Sequence, residues 1–318
     1  MNTKKSQLVK RDARVVESYQ SELVERIARA IPEDGTVEPF QDVYLRRFSS
    51  PTEPLLNLAA PNFHVIAQGS KEAQLGEERY RYDPYYYCIS TVELPVVTHI
   101  VEATKERPYL SVSLELDSIL VGTVMSEAGQ TPPSEPSDVN AFSVNSLDAD
   151  LLDAVVRLVR LIENPTETPV LVPLVKREIV YRLLMGEQGE RLRHIAIFSG
   201  YTPPIAKVIE RLHRDLDRPM RIENIARELG MSVSGFHHHF KAVTAMSPLQ
   251  FQKRLRLQEA RRLMLGEGLD AASAGYRVGY HNAAHFNREY KGLFGLPPMR
   301  DVERLRGVTK GNIGLATD

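Results

Sequence analysis

The chain has 318 residues, of which 42% are hydrophobic and 25% charged, a composition that supports two folded cores. Its single cysteine, Cys88, excludes an internal disulfide framework and suits a reducing compartment. The net charge of −1 is unevenly distributed: residues 203–306 hold 18 basic and 11 acidic side chains, whereas the remainder holds 22 and 30. A basic C-terminal third joined to an acidic remainder is typical of a nucleic-acid reader with a separate partner or effector module.

Residues 1–35 are predicted to form a leader helix. Val16, Tyr19, Leu23 and Ile27 fall on one helical stripe, and Pro32 ends the pattern. We expect this stripe to pack on the domain that follows. The N-terminus shows no apolar signal-peptide core, and no run of about 18 apolar residues could span a bilayer. The sequence therefore predicts a cytoplasmic protein without a membrane partner.

Residues 36–185 are predicted to form a regulatory or effector domain that begins with a β-rich part, 37–120. Short alternating or apolar segments are separated there by Gly, Pro and Asp, which indicates a curled antiparallel sheet or a small barrel. The interior or mouth of such a barrel accommodates one small ligand. The candidate effector-pocket residues are Tyr80, Tyr82, Tyr86 and Cys88. Core packing of the tyrosines along strands is the alternative, and Cys88 is either an inert buried thiol or a sensing thiol.

A helix pair, 148–185, follows a loop predicted from Ser126 to Asn145. Asp148 is a candidate N-cap for the first helix. Apolar stripes are expected in both helices, at Leu151, Leu152, Val155, Val159 and Ile162 and then at Leu171, Leu174, Val175, Ile179, Leu183 and Leu184. The pair either packs on the β-rich part or forms a homodimer interface. Residues 186–202 are predicted to be a linker.

Residues 203–306 contain two similar helix-turn-helix patterns. The first reads IENIARELGMSVSGFHHHFKAV and the second AASAGYRVGYHNAAHFNREYKGLFG. In each, the second helix carries two aromatic residues one turn apart, Phe236 with Phe240 and Phe286 with Tyr290, which indicates a buried face. A long helix from Ser247 to Leu265 joins the two units, with Pro248 at its first helical position. Residues 307–318 are predicted to be a disordered tail.

These residues resemble a known family. The strings GMSVSGFHHHFKAVTAMSPLQFQKRLRLQEARRLM and VGYHNAAHFNREYKGLFGLPP resemble the two halves of the AraC/XylS-family DNA-binding domain. The upstream run YYYCISTVELPVVTHIVEATKERPYLSVSLELD resembles the N-terminal regulatory domain of one AraC-family branch. One departure is Ala245, which stands where the family usually has Gly after the first recognition helix. Because that position favours a left-handed backbone, Ala is expected to cost about 1 kcal/mol or to shift the turn.

The resemblance implies an α+β N-terminal domain, a cupin-like β-barrel plus helices, followed by an all-α DNA-binding domain with two helix-turn-helix units joined by a long helix. It implies a bacterial transcriptional regulator, an activator rather than a repressor by family analogy, with double-stranded DNA and RNA polymerase as partners and a small-molecule effector. The expected DNA-binding residues lie on the outer faces of the two recognition helices and on the linker helix: Ser234, His237, His238, Lys241, Lys253, Arg254, Ala284, His285, Asn287 and Arg288. Arg288 suits a guanine edge and Asn287 an adenine edge.

The sequence offers two alternatives to an effector-controlled transcriptional regulator. A metal-dependent or cupin-type enzyme needs clustered His and Glu, but the β-rich part offers isolated His64 and His99. The run His237-His238-His239 does not favour a metal site, because successive helical side chains point about 100° apart. We therefore predict no metal, no cofactor and no catalytic residue. An effector-independent DNA-binding protein is the remaining alternative.

Overall fold

The computed structural model describes residues 2–130, 140–193, 195 and 204–311, and their side chains from residue 14 to residue 306. The N-terminal domain contains a six-stranded sheet, here called sheet A, in the order β1-β2-β9-β4-β7-β10, and a four-stranded sheet, sheet B, in the order β3-β8-β5-β6. All neighbouring strands are antiparallel. The strands are β1 (Gly35–Phe40), β2 (Val43–Phe48), β3 (Leu55–Ala59), β4 (Asn62–Gln68), β5 (Ser70–Leu75), β6 (Glu78–Tyr82), β7 (Tyr86–Ser90), β8 (Leu94–Glu102), β9 (Tyr109–Glu115) and β10 (Phe142–Ser146).

Four helices and a short fifth complete this domain. They are α1 (Asn2–Ala30), α2 (Ser118–Glu127), α3 (Ala149–Arg160), α4 (Thr168–Met185) and α5 (Gly189–Arg193), with a 3₁₀ turn at Leu161–Glu163. One apolar core joins α1, α3 and α4 to the outer face of sheet A, and it includes Leu23, Ile27, Val65, Val112 and Ile179. The leader helix is therefore part of the N-terminal domain. Leu192 in α5 is also buried in this core. The segment predicted as a linker, 186–202, therefore begins with a helix that packs on the N-terminal domain.

The predicted fold class is confirmed in outline, but the predicted barrel is corrected to two separate sheets. Among the described residues no strand pairing joins sheet A to sheet B. The predicted loop between Ser126 and Asn145 also contains strand β10, which pairs with β7 from Phe142 opposite Ser90 to Ser146 opposite Tyr86. Residues 131–139 of that loop lie outside the described residues. The β10 pairing is non-local, which is why the local pattern did not indicate it.

The second helix of the predicted pair is rotated from its expected stripe. Asp148 caps α3 as predicted, accepting from the Leu151 N–H at 2.8 Å. In α4, Ile179, Leu183 and Leu184 are buried as expected, whereas Leu174 is 55% exposed. The buried side of α4 contains Val172 and Val180 instead. Hydrophobic residues occur on both sides of this helix, so periodicity alone did not identify the side that packs on the core.

The C-terminal domain is entirely helical in its described part. Its helices are α6 (Pro204–Arg214), α7 (Ile222–Glu228), α8 (Val233–Thr244), α9 (Pro248–Gly266), α10 (Ala271–Arg277), α11 (Ala283–Phe294) and α12 (Pro298–Gly311). Helices α7–α8 and α10–α11 are the two helix-turn-helix units, and α9 is the predicted linker helix. Ser247 and Gln250 form a capping box at its start. The α12 helix extends to Gly311, beyond the predicted start of a disordered tail, and residues 312–318 lie outside the described residues.

The first unit and the N-terminal domain share one apolar core, which we call the interdomain cluster. It includes Ile66, Tyr82 and Cys88 from the sheets and Phe240 and Met246 from the C-terminal domain. Backbone contacts accompany it: the Ala141 N–H donates to the Val243 carbonyl at 2.9 Å. The turn between β5 and β6 lies so close to the end of α8 that a Cβ on Gly76 would stand 2.4 Å from the Ala245 carbonyl oxygen. The second unit has a separate core, which includes Leu257, Met264, Phe286 and Tyr290.

Ala245 adopts the left-handed conformation expected at the end of the first recognition helix, with φ 55° and ψ 14°. Gly295 ends the second recognition helix in the same way, with φ 79°. Both residues donate their backbone N–H to the carbonyl four residues earlier at 2.8 Å. The two units therefore have the same left-handed C-cap. The first unit forms it with alanine, whose Cβ strains this conformation, and the second with glycine.

Ala245→Gly is expected to stabilise the protein by about 0.5–1 kcal/mol, since relief of left-handed strain exceeds the entropy that Gly adds to the unfolded chain. Gly295→Ala is the matched opposite change and should destabilise by about 1 kcal/mol. A Cβ at Gly295 meets no atom within 4 Å, so its effect reports conformation alone. Urea unfolding of both variants measures the difference. A destabilised A245G variant would contradict the strain at this position.

Candidate DNA interface

The first recognition helix, α8, buries one side and exposes the other. Phe236 and Phe240 are both 0% exposed, and the Phe240 ring packs edge-on against Phe251 of α9 with centroids 5.4 Å apart. Ser232 caps the helix by accepting from the Gly235 N–H at 3.0 Å. The structure places three of the predicted DNA-binding residues on the exposed side, Ser234, His238 and Lys241, whereas His237 is half-buried beside Phe236.

The second recognition helix, α11, is built in the same way. Asn282 caps it by accepting from the His285 N–H at 2.9 Å. Phe286 and Tyr290 are 0% exposed. Ala284, His285, Asn287 and Arg288 are exposed. Arg288 forms no ion pair with any residue that the structure describes, so its guanidinium is available to a base edge or a phosphate.

The linker helix carries the remaining predicted cations, and they differ in availability. Lys253 is exposed, with 46% of its side-chain surface accessible. Arg254 is half-buried, burial lowers its pKa, and one of its terminal nitrogens is enclosed without a partner in the described structure. Arg256, a further candidate for phosphate contact, donates instead to the backbone carbonyls of Leu216 at 2.7 Å and Arg218 at 2.9 Å. Of these three cations, Lys253 is thus the one presented to a ligand.

Glu289 is a site residue that the sequence reasoning missed. Its carboxylate lies 3.4 Å from Lys253 Nζ and 3.5 Å from His285 Nε2. It also accepts a hydrogen bond of 2.7 Å from the Tyr280 hydroxyl, and burial together with this carboxylate raises the pKa of Tyr280. These side chains border a groove of about 330 Å³ between α9 and α11. A carboxylate here holds two predicted DNA-binding residues together and opposes approach of a phosphate.

Glu289→Gln is expected to strengthen binding to all DNA sequences, because it removes this repulsion and releases Lys253. The dependence of log K on log salt should steepen by about 1, the change for one added phosphate contact. In the Glu289→Gln background, Lys253→Ala should remove this gain and flatten the slope by about 1, without changing sequence preference. Binding titrations over a salt series measure both. Glu210→Gln, an exposed carboxylate on α6, is the control and should leave the slope unchanged.

A buried polar network fixes α11 against the helices behind it. Arg261 of α9 pairs with Asp301 of α12 at 2.7 Å, with side-chain exposures of 4% and 0%. The Tyr290 hydroxyl donates to the same carboxylate at 2.9 Å. The Arg261 guanidinium also lies 4.1 Å from the centre of the Phe294 ring. Three helices therefore meet at one carboxylate, which sets the angle at which α11 presents its outer side.

The candidate effector-pocket residues separate in the structure. Tyr82 and Cys88 are buried between the sheets, at 3% and 3% exposure. Tyr80 stacks on Phe142 and hydrogen-bonds to Glu78 at the rim of sheet B. Tyr86 is 40% exposed. Burial raises the pKa of the Cys88 thiol to about 12, which leaves it protonated and unreactive at neutral pH and disfavours the sensing-thiol alternative.

Two family models match the chain. Residues 39–191 match the AraC-type transcriptional regulator N-terminus, and residues 225–304 match a helix-turn-helix domain. The first matched region spans most of the two sheets and helices α2–α5 but not α1, and the second spans the two helix-turn-helix units. Among the described residues, no helix is long and apolar enough to cross a membrane.

Related proteins and structures agree with these models. The chain is 22% identical over 129 residues to the HTH-type transcriptional regulator ArgR of Pseudomonas aeruginosa, covering 41% of this chain and 39% of the relative. It is 25% identical over 163 residues to the HTH-type transcriptional activator RhaS of Salmonella schwarzengrund, covering 50% and 57%. The matches thus span less than two thirds of either relative.

Similarity to a solved structure extends over nearly the whole fold. ToxT from Vibrio cholerae O395, bound to (E)-4-(8-methylnaphthalen-1-yl)but-3-enoic acid, is 12% identical with a TM-score of 0.53, covering 82% of this chain and 97% of ToxT. At this identity the likeness concerns the fold: a β-rich domain followed by a helical one. With an AraC-type N-terminal model and a helix-turn-helix model matched in order along one chain, and with AraC-family relatives, this protein belongs to the AraC/XylS family.

Proposed function

We propose that this protein is a sequence-specific DNA-binding transcriptional regulator whose N-terminal domain senses a small molecule. The observation that carries the proposal is the pair of recognition helices, each with an aromatic side held in a core and an opposite side of small, polar or basic residues. A helix of this design places its exposed side chains against base edges in a major groove.

The linker helix supports a two-part DNA site. Helix α9 has 19 residues and is therefore about 28 Å long, and its side chains belong to the cores of both units. Two recognition helices fixed to one rigid element are suited to successive major grooves on one face of the duplex, about 34 Å apart. The two helices carry different exposed residues. Each protomer should therefore read an asymmetric sequence.

The interdomain cluster supports control by the N-terminal domain. It passes without interruption from Tyr82 and Cys88, between the sheets, to Phe240 of the first recognition helix. A ligand that changed the packing between the sheets would thereby change the support of α8, while the separate core of the second unit would be less affected. The acid held by ToxT is consistent with a small-molecule effector in this fold.

Selection of fragments of the source genome on the purified full-length chain tests this function. Enriched fragments should share an asymmetric two-part motif whose halves lie about one helical turn apart. Transcription of neighbouring genes should change when the gene for this protein is deleted. Equal recovery of all fragments at moderate salt would overturn the proposal, because it would show electrostatic binding alone.

We propose activation, with RNA polymerase as a protein partner, because the relative RhaS is described as a transcriptional activator. Such a regulator works in the cytoplasm and needs no catalytic activity. In-vitro transcription from an identified target, with and without the protein, reports the sign of regulation. Reduced transcript would favour a repressor.

A homodimer is the further partner that we propose, and the exposed side of α4 supports it. Val170, Leu174, Tyr181 and Met185 are 65%, 55%, 47% and 52% exposed and recur at helical spacing. The opposite side of this helix is buried in the domain core. An apolar stripe on a helix fixed in place suits the same stripe of a second copy related by a two-fold axis.

The double change Leu174→Glu and Tyr181→Glu is expected to convert a dimer to a monomer, because it places four charges in the symmetric interface. Light scattering after size-exclusion chromatography measures the mass. Val37→Glu, an exposed apolar position on β1, is the control and should leave the mass unchanged. An unchanged dimer in the double variant would place the interface elsewhere.

A further inference from the structure

Part of the space between sheets A and B, beside the apolar side chains of the interdomain cluster, is lined by polar and charged side chains. Val65 of β4 and Val112 of β9 pack in the outer core on one face of sheet A, so alternate residues of these strands face sheet B. They include His64 and Ser111, which are 5% and 0% exposed. The interior thus has an unusual chemistry for the centre of a β domain.

Two cations reach this interior from opposite sheets. Arg46 alternates with Leu45, which belongs to the outer core, and donates to Ser113 Oγ at 2.6 Å. Lys71 lies on the same face of β5 as Ala73, which belongs to the interdomain cluster, and stands opposite Tyr82 in the adjacent strand. Tyr82 in turn packs edge-on against the His64 ring, with centroids 5.7 Å apart. Lys71 and Arg46 therefore face one another across a shared space.

Neither cation is neutralised in the described part of the chain. No described carboxylate forms an ion pair with Arg46 or Lys71, and Lys71 makes no hydrogen bond there. Both side chains keep some accessible surface, yet desolvation lowers the pKa of Arg46 and lowers the pKa of Lys71 to about 8. The two cations are therefore desolvated although they are not fully enclosed. Buried charges are ordinarily paired, because an isolated one is costly to desolvate.

Nearby groups add unused hydrogen-bonding capacity. Ser111 is paired in register with Arg46, and its Oγ is buried without a partner. His64 Nε2 lies 3.2 Å from the Tyr109 hydroxyl, while its Nδ1 is buried without a partner. Desolvation by burial lowers the pKa of His64, so this ring is neutral at pH 7 and offers one donor and one acceptor. Buried polar atoms without partners point to a ligand that would satisfy them.

We propose that the effector of this regulator is a compact, polar oxyanion, carrying a carboxylate or phosphate group, bound between the sheets by Arg46 and Lys71. The inference deepens the proposed small-molecule sensing and rests on it. An oxyanion supplies the missing countercharge, accepts the fork of Arg46, and reaches Ser111 and His64. A long acyl chain is disfavoured, since its methylenes would lie beside the unpartnered Ser111 and His64 atoms, although its carboxylate could meet the cations.

The first test is stability without any ligand. Lys71→Met keeps the length of the side chain and removes an unpaired buried charge, so it should raise Tm by about 2–4 °C. Lys105→Met, an exposed lysine in the same domain, should leave Tm unchanged. A K71M protein less stable than wild type would overturn the proposal, because it would show that Lys71 is paired structurally. This measurement is independent of DNA binding, so it separates this proposal from the proposed function.

The second test is ligand response, measured as Tm in sodium phosphate, sodium succinate, neutral succinamide and sodium oleate at matched ionic strength. Phosphate or succinate should raise the Tm of wild type and of K105M but not that of K71M. The anion that gives the larger shift, phosphate or succinate, identifies the anionic group that the site prefers. Neutral succinamide should have no effect. A stronger response to oleate, or equal shifts in wild type and K71M, would overturn the proposal.

The pH dependence gives a third readout in the same assay. The groups that face Lys71 and Arg46 keep one charge state from pH 7 to pH 9: His64, with a lowered pKa, stays neutral, and Tyr82, Cys88 and Tyr109, with raised pKa values, stay protonated. Lys71, with a pKa of about 8, loses its proton in this interval. The wild-type response to succinate, whose carboxylates stay ionised over this range whereas phosphate gains charge, should therefore weaken between pH 7 and pH 9. A response that is constant over this range would exclude Lys71 as a ligand-binding cation.

Discussion

Asp301→Asn is expected to destabilise the second helix-turn-helix unit by about 3–5 kcal/mol, because the change leaves the Arg261 guanidinium buried without a countercharge. Asp301 is fully buried and also accepts from Tyr290. Asn retains the shape of the side chain, so the loss reports charge and hydrogen bonding. Hydrogen exchange in α11 and α12 measures the local effect, since this unit has its own core. DNA binding should be lost in parallel as α11 loses its support.

Two further variants separate charge from packing in this network. Arg262→Ala removes the neighbouring arginine, which is 53% exposed and pairs with Glu259 and Glu267 at the surface, and should change stability by less than about 1 kcal/mol. The double variant Arg261→Met with Asp301→Leu removes both buried charges. It should recover most of the stability that D301N loses, because Arg304, which also pairs with Asp301 at 3.1 Å, is 33% exposed and keeps Glu53 as a partner. Exchange rates in D301N equal to those in wild type would show that the pair is dispensable.

Arg288→Ala is expected to cost about 1–3 kcal/mol on the preferred DNA sequence, or about 5–150-fold in affinity, and to relax preference at one base position. The physical reason is the bidentate fit of a guanidinium to the guanine edge in the major groove. Arg288 is exposed near the middle of α11 and is not held by any described carboxylate. Selection of a randomised site by wild type and by R288A shows which position loses its preference.

Lys291→Ala provides the matched control, one turn further along the same helix and likewise exposed. It removes a positive charge near the end of α11, so any loss of affinity should be similar for preferred and random sequences. Equal losses on both kinds of DNA for R288A would contradict base reading by Arg288 and assign it to the phosphate backbone.

The helical elements of this protein could be predicted because their signals are local. Aromatic residues one turn apart identified the buried sides of α8 and α11, with Phe236 and Phe286 both fully buried. Asp148 was correctly predicted as a helix cap from its own neighbourhood, as was the start of α9 at Pro248. Ala245 was recognised from sequence as a strained C-cap, and its backbone is left-handed in the structure.

The buried side of a helix could not be predicted where both of its sides are apolar. A strand could not be predicted where its pairing partner is distant in sequence. In α4 the expected position Leu174 is exposed, because the choice between two apolar sides depends on the sheet beneath. The β10 strand was missed since it is defined by pairing with β7, whose partner residues lie 52 to 60 positions earlier in the chain. Two predicted DNA-binding residues differ from expectation for the same reason, contact with residues on other helices. Lys253 is neutralised by Glu289 of α11, and Arg254 is half-buried.

The sequence by itself determined the family, the two helix-turn-helix units, the linker helix and most of the exposed residues on the recognition helices, because helix periodicity and capping act within a few residues. The tertiary structure decided the division into two sheets, the continuity of the interdomain cluster, and the meeting of Arg46 and Lys71 between the sheets. Those features depend on strand register, which brings together residues far apart in the chain and assigns each side chain to one face or the other. A lysine and an arginine in strands of alternating pattern look like surface residues in sequence, and only the strand register within two opposed sheets shows that they face each other.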